Sequence, residues 1–367
     1  MDVKERKRRK KIIILAALLA LVLGIAGFVI YERYFTKNNL FETKIKDTKV
    51  ANDLDGTKVE PDRAKRHPLA VMIENHPDAR PQVGLDNASI VYEAIAEGGI
   101  TRFMAVYGPY DAPKVGPVRS ARTYYIDWLS EFKAFYAHCG GNLDALDKIK
   151  TDNILDMDQF SLGDTAYWRE PVSGIAIEHT MFTSTDKLYQ IAFNDKKWEK
   201  TADFKVLSFV EPLEEKLRQV IQEIEINFSS ASYNVLWKYD PATNKYLRSM
   251  GGAIHKDRET NTQLASTNVV IQQMERWEAP TAINEQGWAM KTVGGDKAII
   301  FSQGKEIKGT WKKLDRTSRT LFYDEQGQEI EFPPGQFWIE IVPPDVFSEI
   351  KVETSQPIPD NQVKTTK

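Results

Sequence analysis

At 367 residues the chain is longer than one compact core usually supports, so two domains with an anchoring or linking segment are expected and a single small module is excluded. Hydrophobic residues at 42%, aromatics at 11% and charged residues at 28% are the balance of a folded body, and a mean hydropathy of −0.43 excludes a multi-span membrane protein. The net charge is only −3 but uneven: seven Lys/Arg oppose Asp2 and Glu5 within residues 1–11, a local +5, and the remainder lacks the positive charge that binds nucleic acid.

Residues 1–11 read as a basic cytoplasmic tail. Residues 12–31 carry no charge, and twenty residues at 1.5 Å rise span roughly 30 Å of hydrocarbon, the length of a transmembrane anchor. The positive-inside rule then keeps the N-terminus in the cytoplasm and places the bulk of the chain outside it, at the cell envelope. Phe28, Val29, Ile30 and Tyr31 stand where a cleavable signal would have small residues, so an uncleaved, single-pass signal-anchor is expected. No cysteine follows the apolar run to accept a lipid. The single cysteine, Cys139, can form neither an internal disulfide nor a thiolate metal site by itself.

Residues 32–66 are polar, the composition of a solvated stalk. The span 67–219 reads as a mixed α/β domain. Apolar runs at 68–75, 89–96 and 100–108 have strand length, whereas Ile126, Leu129, Phe132 and Phe135 recur at helical spacing, as residues 143–150 do more briefly. Ser184 or Thr185 is placed to cap a short helix over 186–193. In 220–344, strand-length segments alternate with turn residues, which predicts an all-β antiparallel domain, a small barrel or sandwich with Trp237, Trp288, Trp311 and Trp338 in its core. Residues 345–367 hold too little apolar surface to fold and read as a disordered tail.

Chemistry concentrates in 98–128. Arg102 opens an otherwise apolar strand, and Arg119 and Arg122 flank Ser120 just before a helix. Guanidiniums are bidentate donors matched to phosphate and carboxylate, so Arg102, Arg119, Ser120 and Arg122 are candidate anion-binding residues. Arg80, on the polar loop 74–88, is a further candidate contact. A purely structural role stays open, with the guanidiniums paired to Glu74, Glu93, Glu97 or Asp127. His138 and Glu97 are the candidate acid–base residues for any catalysis. Cys139 points to the other face of the strand from His138 and reads as a buried thiol. His76, His138 and His179 lack ligand spacing of the H-E-x-x-H kind; no metal site is expected and no cofactor is implied.

The stretches PLAVMIENHPDARPQVGLDNASIVYEAIAEGGITRFMAVY, KVGPVRSARTYYIDW and YAHCGG together resemble the YerB-like bacterial lipoproteins, a family defined by a domain of unknown function. NVLWKYDPATNKYLRSMGG, NVVIQQ, GTWKK and PPGQFWIEIVP resemble that family's separate C-terminal domain. The resemblance spans residues 67–344 and implies an envelope protein with two domains in this order, without an established reaction. It departs at the N-terminus, where a helix stands in place of the lipoprotein cysteine. The expected function is a membrane-anchored module that binds an anionic, phosphate-bearing envelope ligand. The alternatives are a phosphotransferase-like enzyme, by analogy of topology with the LytR-CpsA-Psr proteins, or a non-catalytic adaptor that docks envelope proteins.

Overall fold

The computed structural model describes residues 2–33, 48–218, 220–280 and 287–355, and the chain divides after Thr48 into two compact units. In the first, helix α1 (Val3–Tyr31) leaves its apolar side chains exposed on every side, Leu15 by 73% and Leu23 by 65%. A helix that is apolar all round and uncovered by protein needs a non-aqueous surrounding. It is long and apolar enough to cross a membrane.

The second unit opens with the antiparallel pair β1 (Val50–Ala51) and β2 (Lys58–Val59) and the helical turn α2 (Pro61–Ala64). This part of the predicted stalk is packed rather than solvated. Leu54 is buried, and Asn52, Asp55 and Thr57 satisfy one another by hydrogen bonds while Asp55 accepts from Ser89 Oγ. Polar composition misleads here because the polar groups pair internally. Residues 34–47, the rest of that stalk, lie outside the described residues.

Strands β3 (Leu69–Glu74), β4 (Ile90–Glu97) and β5 (Ile100–Tyr107) fall on the three apolar runs, and their near-continuous burial reflects cover on both faces. Gly98 and Gly99, at φ 56° and 76°, make the turn between β4 and β5 that a side chain would strain. Helix α3 (Thr123–Leu129) and a following 3₁₀ turn end at Lys133, whose φ of 52° is left-handed, so Phe135 starts β6 (Phe135–His138) rather than prolonging the helix. Asn142 caps α4 (Leu143–Thr151), which leads to β7 (Asp156–Asp158) and the short α5 (Gln159–Leu162). A small pair, β8 (Tyr167–Arg169) and β9 (Met181–Thr183), precedes α6 (Thr185–Gln190), where Ser184 Oγ accepts from the Lys187 amide at 3.2 Å.

Beyond residue 220 the chain is mostly strand: β10 (Ile221–Asn227), β11 (Asn234–Asp240), β12 (Lys245–Met250), β13 (Ala253–Ile254), β14 (Ala265–Ser266), β15 (Asn268–Gln273), β16 (Arg276–Glu278), β17 (Trp288–Met290), β18 (Gly294–Ser302), β19 (Lys305–Lys313), β20 (Leu321–Asp324), β21 (Phe337–Val342) and β22 (Lys351–Ser355), with a helical turn α7 (Pro344–Ser348). The antiparallel C-terminal sheet runs β13-β12-β11-β10-β22, with β14 on β12. Because β22 pairs with β10, residues 351–355 are part of this sheet and not of a disordered tail; residues 356–367 lie outside the described residues.

Of the remaining C-terminal strands, β16 and β17 pair with each other, and β15, β18, β19, β20 and β21 complete the first sheet, in the order β20-β19-β18-β15-β21-β4-β5-β3-β6-β7. At the seam β21 runs parallel to β4, with Glu340 opposite Glu93, and β15 is parallel to β21, so this half is not antiparallel throughout. Alternation along the strands divides the core. Leu69, Val71 and Ile73 pack with Ile224, Val235 and Trp237 of the smaller sheet, whereas Ala70 and Met72 pack with Tyr124 and Trp128 of α3.

Candidate functional site

Strands β3, β6 and β7 are parallel, and their carboxyl ends lie side by side at Glu74, His138 and Asp158, the edge where open α/β sheets present ligand sites. Residues 117–121 are threaded between these ends. The Glu74 amide donates to Pro117 O at 2.8 Å, the Arg119 amide to Met72 O at 3.0 Å, the Cys139 amide to Arg119 O at 3.1 Å and the Ala121 amide to Gly140 O at 2.8 Å. Backbone bonding on both sides thus fixes where Arg119, Ser120 and Arg122 emerge.

Three of the predicted arginines gather here. Arg102 is only 1% exposed; its Nη2 donates to Glu97 Oε1 at 2.7 Å and its Nη1 to Ser120 O at 3.0 Å. Arg122 grips the other oxygen of the same carboxylate, Glu97 Oε2, from Nε at 2.9 Å and Nη2 at 2.6 Å. Arg119 Nε lies 2.5 Å from Glu74 Oε2, and its Nη2 donates to Glu178 Oε1 at 3.2 Å. Ser120 Oγ donates to Cys139 O at 3.1 Å. Burial alone would raise the Glu97 carboxyl, but the guanidiniums of Arg102 and Arg122 outweigh it and hold it at about 2. Glu74 behaves alike: burial opposes ionisation, and Arg102 and Arg119 still bring it below its usual range.

Arg80 stands apart. Its guanidinium donates to Asn75 Oδ1 and Asn75 O at 3.1 and 3.0 Å and to Ser232 O at 2.8 Å, and it covers the Tyr233 ring at 4.8 Å. It ties the 75–82 loop to the smaller sheet and, among the described residues, shares no hydrogen-bond partner with the other three.

The acid–base candidates are both committed. Glu97, held at about 2, is a weak base near neutral pH. His138 is fully buried, with Nδ1 2.9 Å from Gly140 O and Nε2 3.0 Å from Asp156 Oδ1, so both ring nitrogens are occupied. Burial pushes the Cys139 thiol up, as befits an inert thiol. His76 and His179, far apart in sequence, stack with ring centroids 4.6 Å apart beside Glu74.

A second cluster escaped the residue patterns. Glu93, Arg248 and Glu340 have no exposure where the two sheets meet, and Arg248 Nη2 donates to Glu93 Oε2. Trp237 Nε1 donates to Glu340 Oε1 at 2.8 Å, Thr101 Oγ1 donates to Glu93 Oε1 at 2.6 Å, and Asn75 Nδ2 donates to both Thr101 Oγ1 and Glu93 Oε1. Burial and the Glu93 charge push the Glu340 carboxyl well above its usual range, which favours its neutral form. The available signal was a lone Glu inside each of two otherwise apolar strands, IVYEAIAE and FWIEIV.

Residues 54–199 match the family model described as "Protein of unknown function (DUF3048) N-terminal domain", and residues 224–339 match its C-terminal counterpart. Over 309 residues the chain is 30% identical to the "Putative lipoprotein YerB" of Bacillus subtilis (strain 168), which covers 80% of this chain and 87% of that protein. The chain belongs to the YerB-like family. The crystal structure of the YerB protein from Bacillus subtilis has a TM-score of 0.72 to it at 29% identity, covering 84% of this chain and 100% of that one. The YerB-like description as a lipoprotein, together with the apolar helix α1, points to membrane association.

Proposed function

We propose that the chain is a single-pass membrane protein with its N-terminus in the cytoplasm and residues 49–367 outside, and that Arg119, Ser120 and Arg122 hold an anionic, phosphate-bearing group of a cell-envelope ligand. The basic residues in the first turns of α1, ahead of its apolar stretch, support this orientation. What carries the binding assignment is the charge count at the sheet edge. Three guanidiniums share two inner carboxylates, Glu74 and Glu97, and the balancing third carboxylate, Glu178, has a side chain 52% exposed. An exposed ion pair contributes at most about 1 kcal/mol, so an incoming phosphate can take the place of Glu178 at Arg119. Charge-assisted, bidentate bonds to phosphate are stronger than that pair. Arg102, only 1% exposed, and Arg80, tied to Asn75 and Ser232 O, act behind the site as struts. With Glu97 and His138 committed, the arrangement favours binding over phosphoryl transfer.

Calorimetry on the full-length protein in detergent, titrated with inorganic pyrophosphate, tests the site. Arg119→Ala is expected to weaken binding by about tenfold or more. Equal heats for both proteins would leave the arginines as scaffold and favour the adaptor alternative. An alkaline phosphatase fusion at the C-terminus tests the orientation, and an inactive fusion would place this body in the cytoplasm.

A further inference from the structure

The loop leaving β3 and the 3₁₀ turn Ile177–His179 ahead of β9 bring two imidazoles together that no sequence spacing links. The His76 and His179 rings lie 4.6 Å apart with their planes 8° from parallel, and Asp78 Oδ2 is 3.7 Å from His76 Nδ1. One possible ligand atom from each of His76, Asp78 and His179 falls within 4.8 Å of the others. His179 is 7% exposed, and its Nδ1 has no hydrogen-bond partner among the described residues; its charged neighbour is Glu74 Oε2 at 3.7 Å. A buried ring nitrogen without a hydrogen-bond partner is an unsatisfied polar group, and the tautomer protonated at Nε2 turns its lone pair to a coordinated ion there.

We infer that His76, Asp78 and His179 form a site for a divalent transition-metal ion of the zinc type. Two imidazoles and a carboxylate suit zinc and its first-row neighbours, whereas calcium and magnesium take oxygen ligands. Bonds of about 2.0–2.2 Å around a tetrahedral ion set its ligand atoms about 3.4 Å apart, so atoms now within 4.8 Å of one another close by up to about 1.4 Å and the two imidazoles turn out of their stack to bring the ion near both ring planes. Asp78 and His76, with side chains 53% and 33% exposed, have the freedom to make that movement. Where His76 Nδ1 is the ligand atom, the ion replaces the 3.2 Å hydrogen bond from the Asp78 amide. Three protein ligands leave the fourth position to water, and Glu74, fixed by Arg119, adds negative charge behind His179. The site stands on the two imidazoles and does not require the anion-binding assignment above.

Untagged full-length protein in detergent, stripped with a chelator, should take up one equivalent of Zn²⁺ against a chromogenic competitor, and Co²⁺ should give the visible absorption of a four-coordinate nitrogen–oxygen site. His76→Gln and Asp78→Asn, both at partly exposed positions, should each weaken Zn²⁺ binding by about tenfold or more and abolish a Zn²⁺-dependent rise in Tm. Melting of the metal-free variants alongside wild type separates loss of a ligand from loss of the fold. Absence of Zn²⁺ binding below about 100 μM, or binding undiminished in both folded variants, overturns the site.

Discussion

The protein contains two clusters of arginine and glutamate with opposite relations to water. Between the two sheets, Arg248, Glu93 and Glu340 are sealed with no exposure; at the carboxyl edge of β3, Arg119 reaches from buried Glu74 to exposed Glu178. The sealed cluster has to balance its charge internally, and burial beside Glu93 raises the Glu340 carboxyl and so favours its neutral form. The edge cluster can leave one partner in water. The same residue types therefore act as a lock in one place and as an exchangeable contact in the other.

The largest difference between them should appear on cutting each arginine. Arg248→Met leaves Glu93 without its guanidinium in the seam between β4 and β21 and is expected to lower stability by about 3–5 kcal/mol. Arg119→Ala removes a 24% exposed side chain, but its inner partner Glu74 keeps Arg102 nearby, and a loss of about 1 kcal/mol is expected. Denaturant midpoints measure both. Equal losses would erase the distinction between lock and contact.

Opposite pH dependences sharpen it further. Glu340 has a folded pKa above its unfolded value of about 4.3, so its contribution is complete below that value and fades as pH rises through the folded pKa. Glu97 is depressed to about 2, so its contribution is complete above about 4.3 and fades as pH falls towards 2. Glu340→Gln, which mimics the protonated acid, should flatten the decline towards higher pH. Glu97→Gln should flatten the decline towards acid. Melting temperatures across pH 2–8 report both, and slopes of the same sign in the two variants would contradict the assignment.

The contrast also explains what could be read before any coordinates. Unbroken apolar runs made β3, β4 and β5 legible, and the apolar stretch made α1 legible, because burial on both faces or in lipid leaves a compositional mark. Phe132 and Phe135 keep the helical spacing of α3 beyond its end at Leu129, while the left-handed backbone at Lys133 leaves no such trace in the sequence. Grouping Arg102, Arg119 and Arg122 was within reach of the sequence, since all three lie in one hairpin and the segment after it. Glu178, which pairs with Arg119, and His179, beside Glu74, were not, because they arrive from a distant turn. Glu93 and Glu340 meet only because β21 lies parallel beside β4, a pairing that depends on the whole strand order.

The smallest expected change in stability carries the clearest sign. Glu178→Gln removes the exposed partner of Arg119 without touching Glu74 and should alter stability by no more than about 0.5 kcal/mol. It also frees the Arg119 Nη2 end from a competing carboxylate, so pyrophosphate affinity should rise severalfold, and most at low salt, where the lost competition was strongest. A structural strut predicts the reverse, because loosening Glu178 would then disorder Arg119 and weaken any anion binding. Titrations of wild type and Glu178→Gln at two ionic strengths therefore separate an exchangeable contact from a second lock by the direction of the change alone.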